Sequence, residues 1–86
     1  PLRFQPLPPA GPDPAPARLG QQPVWFEINE ALAALPAHLY DREALRPGNR
    51  LAGPAILFQL DATTVVPPGW QGEVDGFGHL LLEISQ

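Results

Sequence analysis

The sequence predicts a mostly β chain: a small barrel or sandwich of short strands, with a Pro-rich extended N-terminal segment and at most one or two short helical turns. Three observations predict it. Eight of the 13 prolines fall in residues 1–23. Proline fixes φ and removes a backbone donor, so this stretch is extended and excluded from helices and central strands. From Arg50 onward, short apolar runs alternate with Gly/Pro turns, the spacing of an all-β domain. The one helix-favouring run, Asn29 to Leu35, meets Pro36 after about two turns, too short to stand alone.

Taken in order, residues 1–23 read as the extended lead-in and 24–86 as a β-rich module. Leu7-Pro8-Pro9 with Pro12 has the look of a polyproline ligand for an SH3-type groove, a pattern common by chance. Val24-Trp25-Phe26-Glu27-Ile28 is aromatic and β-branched, which suits a half-buried pleated surface. Asn29 can cap a short helix through Leu35; the rival reading is a hairpin tip with Ala37 to Tyr40 as the return strand. Asp41-Arg42-Glu43-Ala44-Leu45 is a single capped helical turn, broken at Arg46-Pro47-Gly48. Pro54 cannot donate to a ladder, so the strand through Ile56-Leu57-Phe58 starts at or after it. Thr63 to Val66 is a β-branched strand, Pro67-Pro68-Gly69 a turn, and Trp70 to Asp75 an alternating strand. Gly76-Phe77-Gly78 forms a hairpin loop, and Leu80, Leu82 and Ile84 share one face of the return strand. Residues 50–84 thus read as three or four strands.

Composition narrows the function classes. An 86-residue chain makes one small domain whose own core is marginal. It has no cysteine, so disulfides and thiolate metal sites are excluded, as fits a cytoplasmic protein. The five basic residues are all arginines (Arg3, Arg18, Arg42, Arg46 and Arg50), the net charge is −4, and no basic patch suits nucleic acid. No apolar run approaches the ~20 residues of a membrane span. The chain starts Pro1-Leu2-Arg3 without methionine or signal pattern, which reads as a piece of a longer polypeptide.

A search for chemistry finds little. Thr63, Thr64, Ser85 and Tyr40 are the hydroxyl candidates, and His38 and His79 the only possible histidine bases. No spacing joins them into a nucleophile–base pair. Neither histidine stands at ligand spacing with another metal-binding residue. Asp61, ahead of Thr63-Thr64, opens a polar patch between apolar strands. An Asx-type turn accounts for it better than catalysis does. Gly76-Phe77-Gly78 lacks the third glycine and following helix of a phosphate loop. The reading is therefore no catalytic, cofactor-binding or metal residue in this chain.

Four segments in order carry a resemblance. They are Tyr40 to Leu45, Arg46 to Ile56 with Ala52-Gly53-Pro54-Ala55-Ile56 at its end, Asp61 to Trp70 with Thr63-Thr64-Val65-Val66-Pro67-Pro68-Gly69, and Val74 to Leu80 with Val74-Asp75 and Gly78. Together they resemble the C-terminal end of the hydantoinase A/oxoprolinase family. The likeness is strong over residues 40–82 and looser over the lead-in and Val24-Trp25-Phe26. Three departures stand out. Leu57-Phe58-Gln59 replaces a polar or acidic residue, His79 replaces an asparagine, and Glu27 to Leu39 is longer than usual.

The resemblance implies a parent enzyme that uses ATP and a divalent metal to open cyclic amides such as oxoproline or hydantoins, or to carboxylate ketones such as acetone. It places the nucleotide site in an actin-like domain earlier in the chain. This chain would then be a non-catalytic module serving subunit architecture. Its partners would be the rest of the parent subunit and a second subunit, with homo-oligomerisation as a by-product. An apolar patch including Trp25, Phe26 or Trp70 should mark where it met the parent. The alternative is a free-standing interaction module. A biotin- or lipoyl-type carrier is excluded because the chain contains no lysine.

Overall fold

A computed structural model describes residues 10–85, which form a mostly β chain of seven strands and two 3-10 turns. β1 (Arg18–Ile28), β2 (Ala31–Asp41), β4 (Ala55–Gln59) and β5 (Ala62–Val66) build one sheet in the order β1-β2-β4-β5. β3 (Arg50–Ala52), β6 (Trp70–Val74) and β7 (Leu80–Ile84) build a second, in the order β3-β6-β7. The sheets lie against each other as a sandwich and do not close into a barrel. Residues 50–84 supply five strands, one or two more than the turns alone suggest, because Gly53-Pro54 splits the run from Arg50 into β3 and β4. The polyproline reading of Leu7-Pro8-Pro9 lies outside the described residues.

The β1–β2 hairpin is where the sequence was ambiguous. Asn29 and Glu30 have φ of +51° and +66°, and Ile28 pairs with Ala31. Two positive φ values in a two-residue loop make a type I′ tip, whose twist matches that of the flanking strands. The helix reading over Asn29–Leu35 therefore fails, and the return strand starts at Ala31 rather than Ala37. The helix propensity of Ala31 to Leu35 decides little over so short a run. It loses to pairing with the aromatic and β-branched run of β1, which meets it as Val24↔Leu35, Trp25↔Ala34 and Phe26↔Ala33.

β1 starts at Arg18, ahead of Val24, and carries Pro23 within it. Pro23 is tolerated because β1 is an edge strand. It stands directly opposite Pro36. Two opposed prolines can only form a non-hydrogen-bonded pair, so the donor that Pro36 lacks is on the far side of β2. There β2 pairs in parallel with β4, but only over His38 to Asp41. The distal hairpin thus runs on as a two-stranded ribbon, and the molecule reaches 52 Å along its longest axis.

The core lies between the sheets. Tyr40, Ala55, Leu57 and Val66 face it from the four-stranded sheet, and Leu51 and Val74 from the other. Ala17 and Leu45, in and just after the two 3-10 turns, close its end. Trp70 and Leu80 pack against it half-exposed. The second turn, Arg42–Ala44, forms where the sequence places it, with the Asp41 carboxylate accepting the Glu43 amide at 3.1 Å.

One buried polar residue ties these parts together. Asn49 is 3% exposed. Its Oδ1 accepts the Arg46 amide at 2.8 Å, and its Nδ2 donates to the carbonyls of Gly11 at 2.8 Å and Asp13 at 3.3 Å. Its own carbonyl accepts the Val74 amide at 2.9 Å. On either side, the Ala10 amide donates to Pro47 and the Arg50 amide to Pro12, both at 2.8 Å. Gly48, at φ +96°, must be glycine, because a Cβ there would strike the Ala10 carbonyl.

Three outcomes follow. Asn49→Ala should lower stability by about 1–3 kcal/mol in urea unfolding, since it takes the buried partner away from the Gly11 and Asp13 carbonyls and the Arg46 amide. Asn49→Asp should cost at least as much, because it replaces the donors with a charge facing two carbonyls. Glu30→Gly should raise stability by about 0.5–1 kcal/mol in the same assay, because glycine holds a positive φ without strain. An unchanged midpoint for Asn49→Ala would remove Asn49 from its central role.

Candidate functional site

The polar residues singled out in the sequence do not converge. His79 lies at the β6–β7 loop, where its amide donates to Asp75 Oδ1 at 2.8 Å. The Phe77 amide reaches the same oxygen at 2.9 Å. The His79 amide most of all, helped by the Phe77 amide, the imidazole of His79 and the Gly78 amide, holds the Asp75 carboxyl below its ordinary range, against desolvation, which is the second-largest influence. The imidazole itself is 75% exposed, with Nδ1 3.7 Å from Asp75 Oδ2. Histidine serves here as well as asparagine, because the backbone amide and not the side chain closes the loop.

His38 and Tyr40 sit on β2 with ring centroids 6.4 Å apart. The His38 amide donates to the Pro54 carbonyl at 3.1 Å, and Nδ1 is buried without a hydrogen-bond partner. Burial pushes the Tyr40 phenol above its ordinary value; Arg18 opposes the shift and Asp13 adds to it. Thr64 is aligned with Tyr40 across Leu57, two strands away. At ~4.8 Å per strand spacing their backbones stand roughly 10 Å apart, so they form no nucleophile–base pair.

Asp61 is placed differently from the sequence expectation. Leu60-Asp61 is the two-residue link between Gln59 and Ala62, and no Asx-type bond forms at it. That bond forms instead at Asp13, which accepts the Ala15 amide, at Asp41 and at Asp75. Only the position of each aspartate relative to its turn separates these cases.

An open groove of about 480 Å3 runs over the three-stranded sheet between Arg50, Gln71, Glu73 and Glu83. Its polar groups are spent on one another: Arg50 Nε lies 3.2 Å from Glu73 Oε1, and Gln71 Nε2 donates to Glu83 Oε1 at 2.8 Å. Among the described residues no group of three His, Asp or Glu side chains could hold a metal ion. Nor is there a helix beyond the 3-10 turns whose N-terminus could cradle a phosphate. ATP and a divalent metal, implied for the parent, do not fit these residues. Among the described residues no helix is long and apolar enough to cross a membrane.

What does converge is a set of joints. Arg42 Nη2 donates to the Gly78 carbonyl at 2.8 Å, fastening the turn after β2 to the β6–β7 loop. Gly53 donates to the Trp70 carbonyl at 2.8 Å, and its missing side chain admits the Pro67 carbonyl. The Pro67-Pro68-Gly69 turn is closed by the Trp70 amide on Pro67 at 3.2 Å. Asn49 was not singled out in sequence. Its signal was its place after Pro47-Gly48, and a loop asparagine gives no sign that it is buried. The surface residues are split: Trp25 is 68% exposed, while Phe26 and Trp70 are half-buried.

The joints lie within the four ordered segments. The family model described as hydantoinase/oxoprolinase C-terminal domain matches residues 3–85. The acetone carboxylase beta subunit of Xanthobacter autotrophicus is 56% identical over 51 residues, 58% of this chain and 7% of that protein. An uncharacterized protein of Methanocaldococcus jannaschii is 40% identical over 45 residues, 52% of this chain and 7% of that protein. A nucleotide-free acetone carboxylase structure, solved for the mechanism of ATP-dependent acetone carboxylation, matches with a TM-score of 0.73 and 32% identity. It covers 93% of this chain, which spans 11% of that one. The chain belongs to the hydantoinase/oxoprolinase C-terminal domain family.

Proposed function

We propose that this chain is the non-catalytic C-terminal module of an ATP-dependent enzyme subunit, serving its architecture and assembly. One observation carries the reading: the residues that mark the family are committed to joints within the domain. Arg42 holds Gly78, Gly53 admits the Pro67 carbonyl, and Asp75 binds two amides. ATP and a divalent metal belong to the rest of the parent, and the partners are that remainder, a second subunit and, as a by-product, further copies. A cytoplasmic setting accords with a chain that lacks cysteine.

For the parent's chemistry, opening of a cyclic amide such as oxoproline or a hydantoin is the reading from the family. A second reading, carboxylation of a ketone, is favoured by the likeness to acetone carboxylase in sequence and in structure. These residues do not decide between the two. A free-standing interaction module is the remaining alternative.

The 86-residue chain alone should release no phosphate from ATP, with or without acetone, oxoproline or hydantoin, in a coupled phosphate assay. Sustained turnover would overturn the non-catalytic assignment. The polypeptide that carries the domain should turn over ATP. Stimulation that requires both ketone and bicarbonate selects the carboxylase, and stimulation by a cyclic amide alone selects the hydrolase.

A further inference from the structure

The two sheets differ on the sides turned away from the core. Residues paired in register point to the same side of a sheet. On the three-stranded sheet the outward side carries the Arg50–Glu73 ion pair and the Gln71–Glu83 hydrogen bond, as a solvated surface should. On the four-stranded sheet Tyr40, Leu57 and Val66 point inward. The residues between them point out, and apart from Gln22, Thr63 and Asp41 they are apolar on all four strands. Val24 and Phe26 come from β1, Leu35 from β2, Ile56 and Phe58 from β4, and Val65 from β5.

This outer side is already a partial core. Ala37 is fully buried on it, although it stands outside the cluster between the sheets. Its one charged side chain, Asp41, is at the end of β2 and already accepts the Glu43 amide. Phe58 and Val65 remain 41% and 47% exposed. The β2–β4 pair is parallel, an arrangement most often found in sheets covered on both faces. A sheet side so depleted of charge fits an obligate interface better than a solvated or transient one.

We propose that the outer side of the β1-β2-β4-β5 sheet is the seat of an apolar surface on an earlier domain of the same polypeptide. The proposal rests on the reading of the chain as a C-terminal module, and it names the surface through which the module is held. The occupant is chosen by length. The chain spans 7% of each curated relative and 11% of the solved acetone carboxylase chain. Roughly nine-tenths of such a polypeptide is therefore tethered to this domain, at the high effective concentration that a covalent link provides.

Hydroxyl-radical footprinting of the polypeptide that carries the domain tests it. Phe77 and Leu81, 88% and 57% exposed and on the other sheet or its loop, serve as internal references. Corrected for intrinsic reactivity, Phe26, Phe58 and Val65 should be modified at least about fivefold less than these references, the contrast between a covered and an open apolar surface. Equal modification overturns the proposal. So does protection already present in the 86-residue chain, which would assign the cover to its own residues or, if lost on dilution, to a second copy. Protection that appears only when a different subunit is added also overturns it.

A variant pair supplies a second readout. Val65→Lys should let protease release the domain from the longer polypeptide, while Leu81→Lys, at a similarly exposed strand position, should not. Equal release by both would overturn the proposal. Failure of the underlying reading is visible separately: an antibody to the chain would then detect a 9.3 kDa product and no longer one.

Discussion

The fold depends on satisfying the polar backbone of one turn, and Asn49 is the side chain that does it. A buried amide is stabilising only if nearly all of its bonds are made, since each stranded partner costs about 1–3 kcal/mol. A domain of this size has in total only about 0.05–0.15 kcal/mol of stability per residue. Asn49 meets the condition by facing three ways. Oδ1 closes its own turn on Arg46, Nδ2 reaches the lead-in at Gly11 and Asp13, and its carbonyl receives Val74 from β6. The lead-in is thereby fixed through its carbonyls. Proline leaves that group intact while removing the amide donor, so a proline-rich segment can be laid on the body as an acceptor strip. Pro12 shows this directly, accepting the Arg50 amide.

Legibility in the sequence followed the same division between groups that punctuate and groups that pair. The strands after Arg50 could be read because Pro54, Pro67-Pro68-Gly69 and Gly76–Gly78 restrict the backbone whatever surrounds them. Asp41 capped its turn for an equally local reason. The β1–β2 hairpin could not be read, since its tip is Asn29-Glu30 without the glycine that announces a type I′ turn. Its return strand is made of alanine and leucine, which favour helix in isolation. Only the partner strand decides, and that information is non-local. The same limit hid Asn49, whose bonds reach 36 and 38 residues along the chain. Asp61 and Asp75 show it again. Asp61 lies within its turn and Asp75 ahead of its own, so only Asp75 is followed by amides that fold back onto its carboxylate.

The candidate site was legible chiefly as architecture. Tyr40, Arg42, Gly53, Asp75 and Gly78 were picked out by their order along the chain; in space Arg42 with Gly78 and Gly53 with Trp70 join the two sheets, Tyr40 packs in the core between them, and Asp75 closes its own loop. Arg42 is informative because its guanidinium could bind a carboxylate or phosphate ligand. It instead binds the Gly78 carbonyl, the last point at which the second sheet's hairpin can be anchored to the first sheet's exit turn. Fold and function are separable in principle. Here the geometry that these residues form belongs to the fold.

The parallel β2–β4 pair connects this architecture to the larger assembly. An antiparallel meander of this length could have left one side of each sheet in water. Placing β4 beside β2 in parallel required the chain to leave the four-stranded sheet after Asp41, run through the 3-10 turn, Asn49 and β3, and return at Ala55. That excursion creates the second sheet's first strand and the hub that holds the lead-in. It also puts Leu39 and Ile56 side by side on the outward face, flanked by Val65. The topology that gives the domain its internal joints is therefore the same topology that gives it an apolar outer side. A domain built this way is internally complete at its core and incomplete at one surface.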